Sequence, residues 1–99
     1  MSVYAYRHNE NKDIYLIRTV VDDNGNTKFG ITRDPYLALY AYSLDKDTYD
    51  YLVSNATDEE VGYSEEKSFD IDGYSGVLYK PIKLRIKDFE KIEFKESDD

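Results

Sequence analysis

The stretch IYLIRTVVDDNGNTKFGITRDP, residues 14–35, decides the fold. A β-branched run from Ile14 to Asp22 and a second from Thr27 to Thr32 flank Asp23-Asn24-Gly25-Asn26. Asn-Gly supplies two residues that tolerate positive φ, as a type I′ hairpin turn requires. With Asn24-Gly25 as the loop, Val20 lies opposite Phe29 and Arg18 opposite Ile31. That register gathers Ile14, Leu16, Val20, Phe29 and Ile31 on one face, and a slip of one residue would scatter them. Asp34-Pro35 then starts a helix, with Asp as the cap acceptor and Pro at the first position, where no N–H is needed.

Outward from this unit, Val3 to Arg7 alternate weakly and predict a first strand. His8 to Asp13 read as a polar turn, which makes His8, the only histidine, a surface residue without a role. Tyr36-Leu37-Ala38-Leu39-Tyr40-Ala41-Tyr42 is apolar nearly all round a helix, the pattern of a segment buried on several sides or of one that presents a side to a partner, and a small domain's need for a core favours burial. Asp45 caps a second helix in which Tyr49, Leu52 and Val53 fall at i, i+3 and i+4, with Asn55 as its stop. Residues 57–68 carry little hydrophobic pattern and read as a loop with one short strand around Val61–Tyr63. Gly73 and Gly76 bracket a turn, Gly76 to Lys80 form a strand, and Pro81 belongs at a strand edge or start. Ile82, Leu84 and Ile86 alternate with Lys83, Arg85 and Lys87, the mark of a half-exposed strand. A bulge or turn near Asp88-Phe89 precedes a last strand with Ile92 and Phe94, and Glu96 to Asp99 form a frayed tail. The expected fold is α+β over a single domain, 1–99. It comprises an antiparallel sheet of four to six strands with one or two helices, from about 35–54, on one face.

Composition narrows the function classes. There is no cysteine, so disulfides, thiol catalysis and cysteine-bound metals are excluded. A small chain without disulfides, an apolar leader or a membrane-length segment is expected in the cytoplasm. The net charge of −8 lies wholly in residues 45–72, where ten acids stand against Lys46 and Lys67. Those acids are Asp45, Asp47, Asp50, Asp58, Glu59, Glu60, Glu65, Glu66, Asp70 and Asp72. Residues 1–44 and 73–99 each balance to zero.

No catalytic constellation emerges. A nucleophile needs a base beside it, and one turn histidine does not provide that. The acids sit where nothing would raise a carboxyl pKa, as paired-carboxylate chemistry requires. Asp22, Asn24 and Asn26 have the first spacings of a calcium loop, but Thr27 and Arg33 occupy positions that need Gly and Glu. No cofactor and no metal are expected. Ile14-Tyr15, then Lys28-Phe29-Gly30-Ile31-Thr32 and a helix, resembles the opening of a GIY-YIG nuclease domain over about a quarter of the chain. Ala38 stands where that family places its essential arginine, and its metal-binding glutamate has no counterpart here. The resemblance therefore implies a chain without nuclease activity. Direct nucleic-acid binding is also disfavoured, because Lys83, Arg85, Lys87 and Lys91 are interleaved with Asp88, Glu90 and Glu93 and the chain is acidic.

What remains is binding to a protein. Tyr63 between Glu59-Glu60 and Glu65-Glu66, and Tyr74 after Asp70 and Asp72, combine aromatic and acidic side chains as contact surfaces do. The ten acids, Tyr63 and Tyr74 are the expected partner-binding residues, with the exposed members of Tyr36–Tyr51 as further contact aromatics. Their partner would be a basic protein such as a nuclease or another nucleic-acid-binding protein. In its sharpest form the chain mimics DNA, as do acidic inhibitors that phages and mobile elements direct at host defence, anti-CRISPR proteins among them. One alternative is a structural or assembly subunit that forms a homo-oligomer, such as a homodimer, through its tyrosine-rich helix; a second is an enzyme or small-molecule binder of unfamiliar type, whose mark would be a deep apolar pocket holding a buried acid with a perturbed pKa.

Overall fold

The computed structural model describes residues 2–20, 24 and 27–95. Its order is β1 (Ser2–His8), β2 (Tyr15–Val20), β3 (Thr27–Thr32), α1 (Pro35–Ser43), α2 (Lys46–Asn55), β4 (Glu60–Ile71), β5 (Tyr74–Arg85), a 3-10 turn (Ile86–Asp88) and β6 (Phe89–Lys95). This is an α+β fold with antiparallel strands. The strands divide between a four-stranded sheet in the order β3-β2-β1-β6 and a separate two-stranded ribbon, β4-β5.

Both helix starts follow the capping chemistry read from the sequence. The Asp34 carboxylate accepts from the Tyr36 N–H at 3.0 Å with Pro35 in the first turn. Asp45 accepts from the Thr48 N–H at 3.2 Å, and α2 ends at Asn55. The turn residues Asn24-Gly25 fall largely outside the described residues, but the ladder around them is set. Arg18 pairs with Phe29 and Val20 with Thr27, two residues away from the register that an Asn24-Gly25 loop imposes. A shift of two preserves every side chain's face, so the hydrophobic pattern cannot distinguish the two registers. Ile14 and Leu16 are fully buried, and Phe29 and Ile31 pack against the same cluster.

That cluster joins Ile14 and Leu16 to Tyr42 of α1, Tyr49 and Val53 of α2, Val61 of β4, Ile86 and Phe89. Its centre is aromatic. Tyr49 stacks on Tyr6 with centroids 5.6 Å apart, meets Tyr42 edge-on at 5.4 Å, and donates its hydroxyl to the Leu16 carbonyl at 2.9 Å. The hydroxyl partner is what lets so polar a residue be fully buried. Ala5, Tyr15 and Ala38 form a second cluster.

Three expectations are corrected. His8 is buried at the end of β1, where it meets the Phe89 ring edge-on at 5.2 Å. Its Nδ1 accepts from the Asn11 and Glu10 N–H groups at 3.0 and 3.3 Å, so the polar turn is organised around it. Residues 60–71 are one twelve-residue strand rather than a loop, whereas Pro81 lies in β5, an edge strand of the two-stranded ribbon, as its missing N–H requires. The ribbon turns at Asp72-Gly73, with φ of 53° and 81°, while Gly76 sits in the strand opposite Phe69. Two successive positive φ values are the type I′ geometry, and Asp-Gly is a preferred pair for it.

Candidate functional site

Opposite residues of an antiparallel pair share a face, so the β4–β5 register sorts the ribbon's side chains. One face carries Val61/Leu84 and Tyr63/Ile82 at its base, then Glu65/Lys80, Lys67/Leu78, Phe69/Gly76 and Ile71/Tyr74. The base packs into the core through Val61, Tyr63 and Leu84. Beyond it the ribbon projects: the radius of gyration is 16.2 Å, against about 13 Å for a compact chain of this size. Ile71, Tyr74 and Leu78 are exposed there, and the half-buried Phe69 lays its ring over Gly76. A Cβ at Gly76 would meet that ring at 2.9 Å, which is why glycine suits the position.

The second face of the ribbon carries Glu60/Arg85, Gly62/Lys83, Ser64/Pro81, Glu66/Tyr79, Ser68/Val77 and Asp70/Ser75. Tyr79 and Val77 are exposed beside Glu66 and Asp70. An aromatic ring therefore stands directly across from a carboxylate.

The structure treats the twelve expected contact residues unequally. Nine of the ten acids are exposed and Asp50 is half-buried. Asp45 is a helix cap, and hydrogen bonds from Thr48 hold its carboxyl below the usual range. Asp47 lies in the first turn of α2, while Asp58 and Glu59 precede β4. Glu65 faces one side of the ribbon, Glu60, Glu66 and Asp70 the other, and Asp72 occupies the turn. Tyr74 is exposed at the tip. Tyr63 is half-buried against the core, with the Arg33 guanidinium 5.9 Å from its ring centre.

Asp50 does different work. Its carboxylate accepts from the Tyr6 hydroxyl at 2.6 Å, the Tyr42 hydroxyl at 2.9 Å and Lys91 Nζ at 3.3 Å. It thereby links α2 to α1, β1 and β6. Burial pushes its carboxyl up, but these three donors and the Lys91 charge outweigh that and hold it below the usual range. Burial and then the Asp50 hydrogen bond raise the Tyr6 and Tyr42 phenols, so neither is poised to act as an acid near neutrality.

A cavity of about 450 Å³ opens where the ribbon base meets β3 and α2. Phe29, Leu52, Val61 and Ile86 wall it, and Lys28, Asn55, Glu59 and Glu60 bring polar groups to it. Among the described residues no group of three His, Cys, Asp or Glu side chains could hold a metal ion. No helix of these residues is long and apolar enough to cross a membrane.

Sequence reasoning missed Tyr79 and Val77, because their face emerges only once β4 and β5 are paired. The Asp72-Gly73 turn signal could have supplied that pairing. No protein-family model, curated protein or solved structure matches this chain.

Proposed function

We propose that this chain is a non-enzymatic acidic domain that binds a basic protein, such as a nuclease or another nucleic-acid-binding protein, through the projecting ribbon. The observation that carries this reading is the outer part of the face, where Glu66 and Asp70 stand with Tyr79 and Val77, beyond a base at which Arg85 opposes Glu60 and Lys83 follows. Of the ten acids in 45–72, only Asp50 enters an ion pair among the described residues. Asp45 is committed to the α2 cap, and Glu60 and Glu65 stand opposite Arg85 and Lys80, so Glu66 and Asp70 are the ribbon strand carboxylates left to attract a cationic surface and speed encounter. Tyr79 and Val77 would supply the desolvated contact that charge alone does not give.

DNA mimicry, with an inhibitor's role, is the sharper form of this reading. The ribbon favours a mixed acidic and aromatic contact over a phosphate-like array. Six residues separate Glu60 from Glu66 and four separate Glu66 from Asp70, roughly 20 and 13 Å along a strand. Phosphates recur every ~3.4 Å of axis on each DNA strand, a far denser charge.

The test is affinity capture from a bacterial lysate, washed at low and high salt, with the parent and with E60Q/E66Q/D70N. The proposal expects the parent to retain a basic nucleic-acid-binding protein at low salt, to release it at high salt, and the variant to miss it. Equal capture by both forms, unaffected by salt, would overturn it.

A further inference from the structure

Among the described residues, two exposed apolar surfaces lie off the ribbon face assigned above to a basic partner. On α1 and its C-cap, Tyr36, Leu37, Tyr40 and Leu44 are 45–80% exposed. At 100° per residue they fall within one 100° stripe, while Ala38 and Tyr42 face inward. The sequence favours burial of this helix over one side left for a partner, and only one side of it is buried. The second surface is the ribbon face that bears Ile71, Tyr74 and Leu78, which are 61–77% exposed.

We infer that the chain forms a two-fold homodimer by arm exchange, each copy laying this ribbon face across the α1 stripe of the other. Area selects this arrangement. With side chains of about 200 Å² each, the stripe offers roughly 500 Å² and the ribbon face roughly 400 Å². Pairing ribbon with ribbon would bury about 800 Å² in total, and stripe with stripe about 1,000 Å², both below the range of about 1,200–2,000 Å² for stable interfaces. Reciprocal exchange covers both surfaces twice, about 1,800 Å², within that range. Charge agrees. The ribbon face carries Lys67 directly opposite Leu78, with Lys80 two residues further along, against the single acid Glu65. Arg33 and Asp34 precede the stripe, and Asp45, Lys46 and Asp47 follow Leu44, three acids against two bases. Exchange sets a ribbon face of net positive charge against a stripe whose ends are net negative, whereas stripe-on-stripe pairing sets two net-negative surfaces together. The opposite ribbon face, with Glu66, Asp70 and Tyr79, stays outside the dimer, so this inference does not depend on the proposed function.

Sedimentation equilibrium of the purified chain tests it, with L78E in the ribbon and Y40E on the stripe. The parent mass is expected to rise with concentration from 11.6 kDa toward twice that value. Each variant alone should dissociate at least tenfold more readily, and an equimolar mixture should recover association, since one contact in the mixed dimer is intact. Because the chain has no cysteine, Y40C and L78C give a second readout. A disulfide should form between the two variants mixed, and not within either alone. A parent that stays monomeric to millimolar concentration overturns the inference. So does a dimer that only one of the two glutamate variants weakens, or cross-linking within a single cysteine variant. If L78E and Y40E still capture the basic partner, the dimer and the binding reading stand or fall separately.

Discussion

Replacing Asp50 by Ala should loosen the attachment of α2 to the sheet. The carboxylate takes hydrogen bonds from Tyr6, Tyr42 and Lys91, and each bond to a charged group contributes about 1.5–3 kcal/mol where water is excluded. Water is not excluded here, since the Asp50 and Lys91 side chains are 37% and 41% exposed. The ion pair therefore adds about 1 kcal/mol or less, and solvent weakens the tyrosine bonds in turn. The expected loss is about 2 kcal/mol, which lowers the Tm of a chain this size by on the order of 10 °C. Thermal unfolding followed by circular dichroism measures it. The pH dependence has a definite sign. The carboxyl lies below its ordinary range in the folded protein, so its stabilisation is complete above the unfolded pKa of about 4 and is lost as pH falls through the lower folded value. D50A should lack that part of the acid sensitivity. A variant melting within about 2 °C of the parent at neutral pH would refute this account of the cluster.

Other perturbations follow the same physics. Y49F removes a buried hydroxyl that donates to the Leu16 carbonyl, so chemical denaturation should show a loss of about 1 kcal/mol with an unchanged m-value. D45A removes the α2 cap for about 1 kcal/mol, while D45N, which still caps, should stay close to the parent in the same assay. F69A uncovers Gly76 in the projecting ribbon. Hydrogen exchange of amides 65–80 should speed up while the global melting temperature barely moves, because that half of the ribbon lies beyond the core clusters.

Where local chemistry decides structure, the sequence was readable. Asp34-Pro35 and Asp45 capped helices as their side chains require, and Ile14, Leu16, Phe29 and Ile31 gathered on one face. Features set by tertiary pairing were not. The outer half of β4 faces solvent on both sides, so Glu65-Glu66-Lys67-Ser68 has no inside–outside alternation to read. Its strand identity comes from β5, through pairs such as Glu65 with Lys80. The β2–β3 register escaped because a two-residue shift leaves every face intact. His8 looked like a surface residue because its partners are backbone N–H groups of the following turn. The acids were legible as a charge but not as a surface: the fold uses Asp45 and Asp50 internally and divides Glu65 from Glu66 and Asp70.

Binding of a basic protein by the ribbon face of Glu66, Asp70 and Tyr79 is what most needs direct measurement. The most direct measurement is the dissociation constant between the purified chain and the protein it captures, titrated across salt, for the parent, E60Q/E66Q/D70N and Y79A. The account predicts parent binding that weakens steadily with salt, a shallower salt dependence for the amide variant, and loss of affinity at all salt concentrations for Y79A. Equal affinities for all three forms, independent of salt, would contradict it.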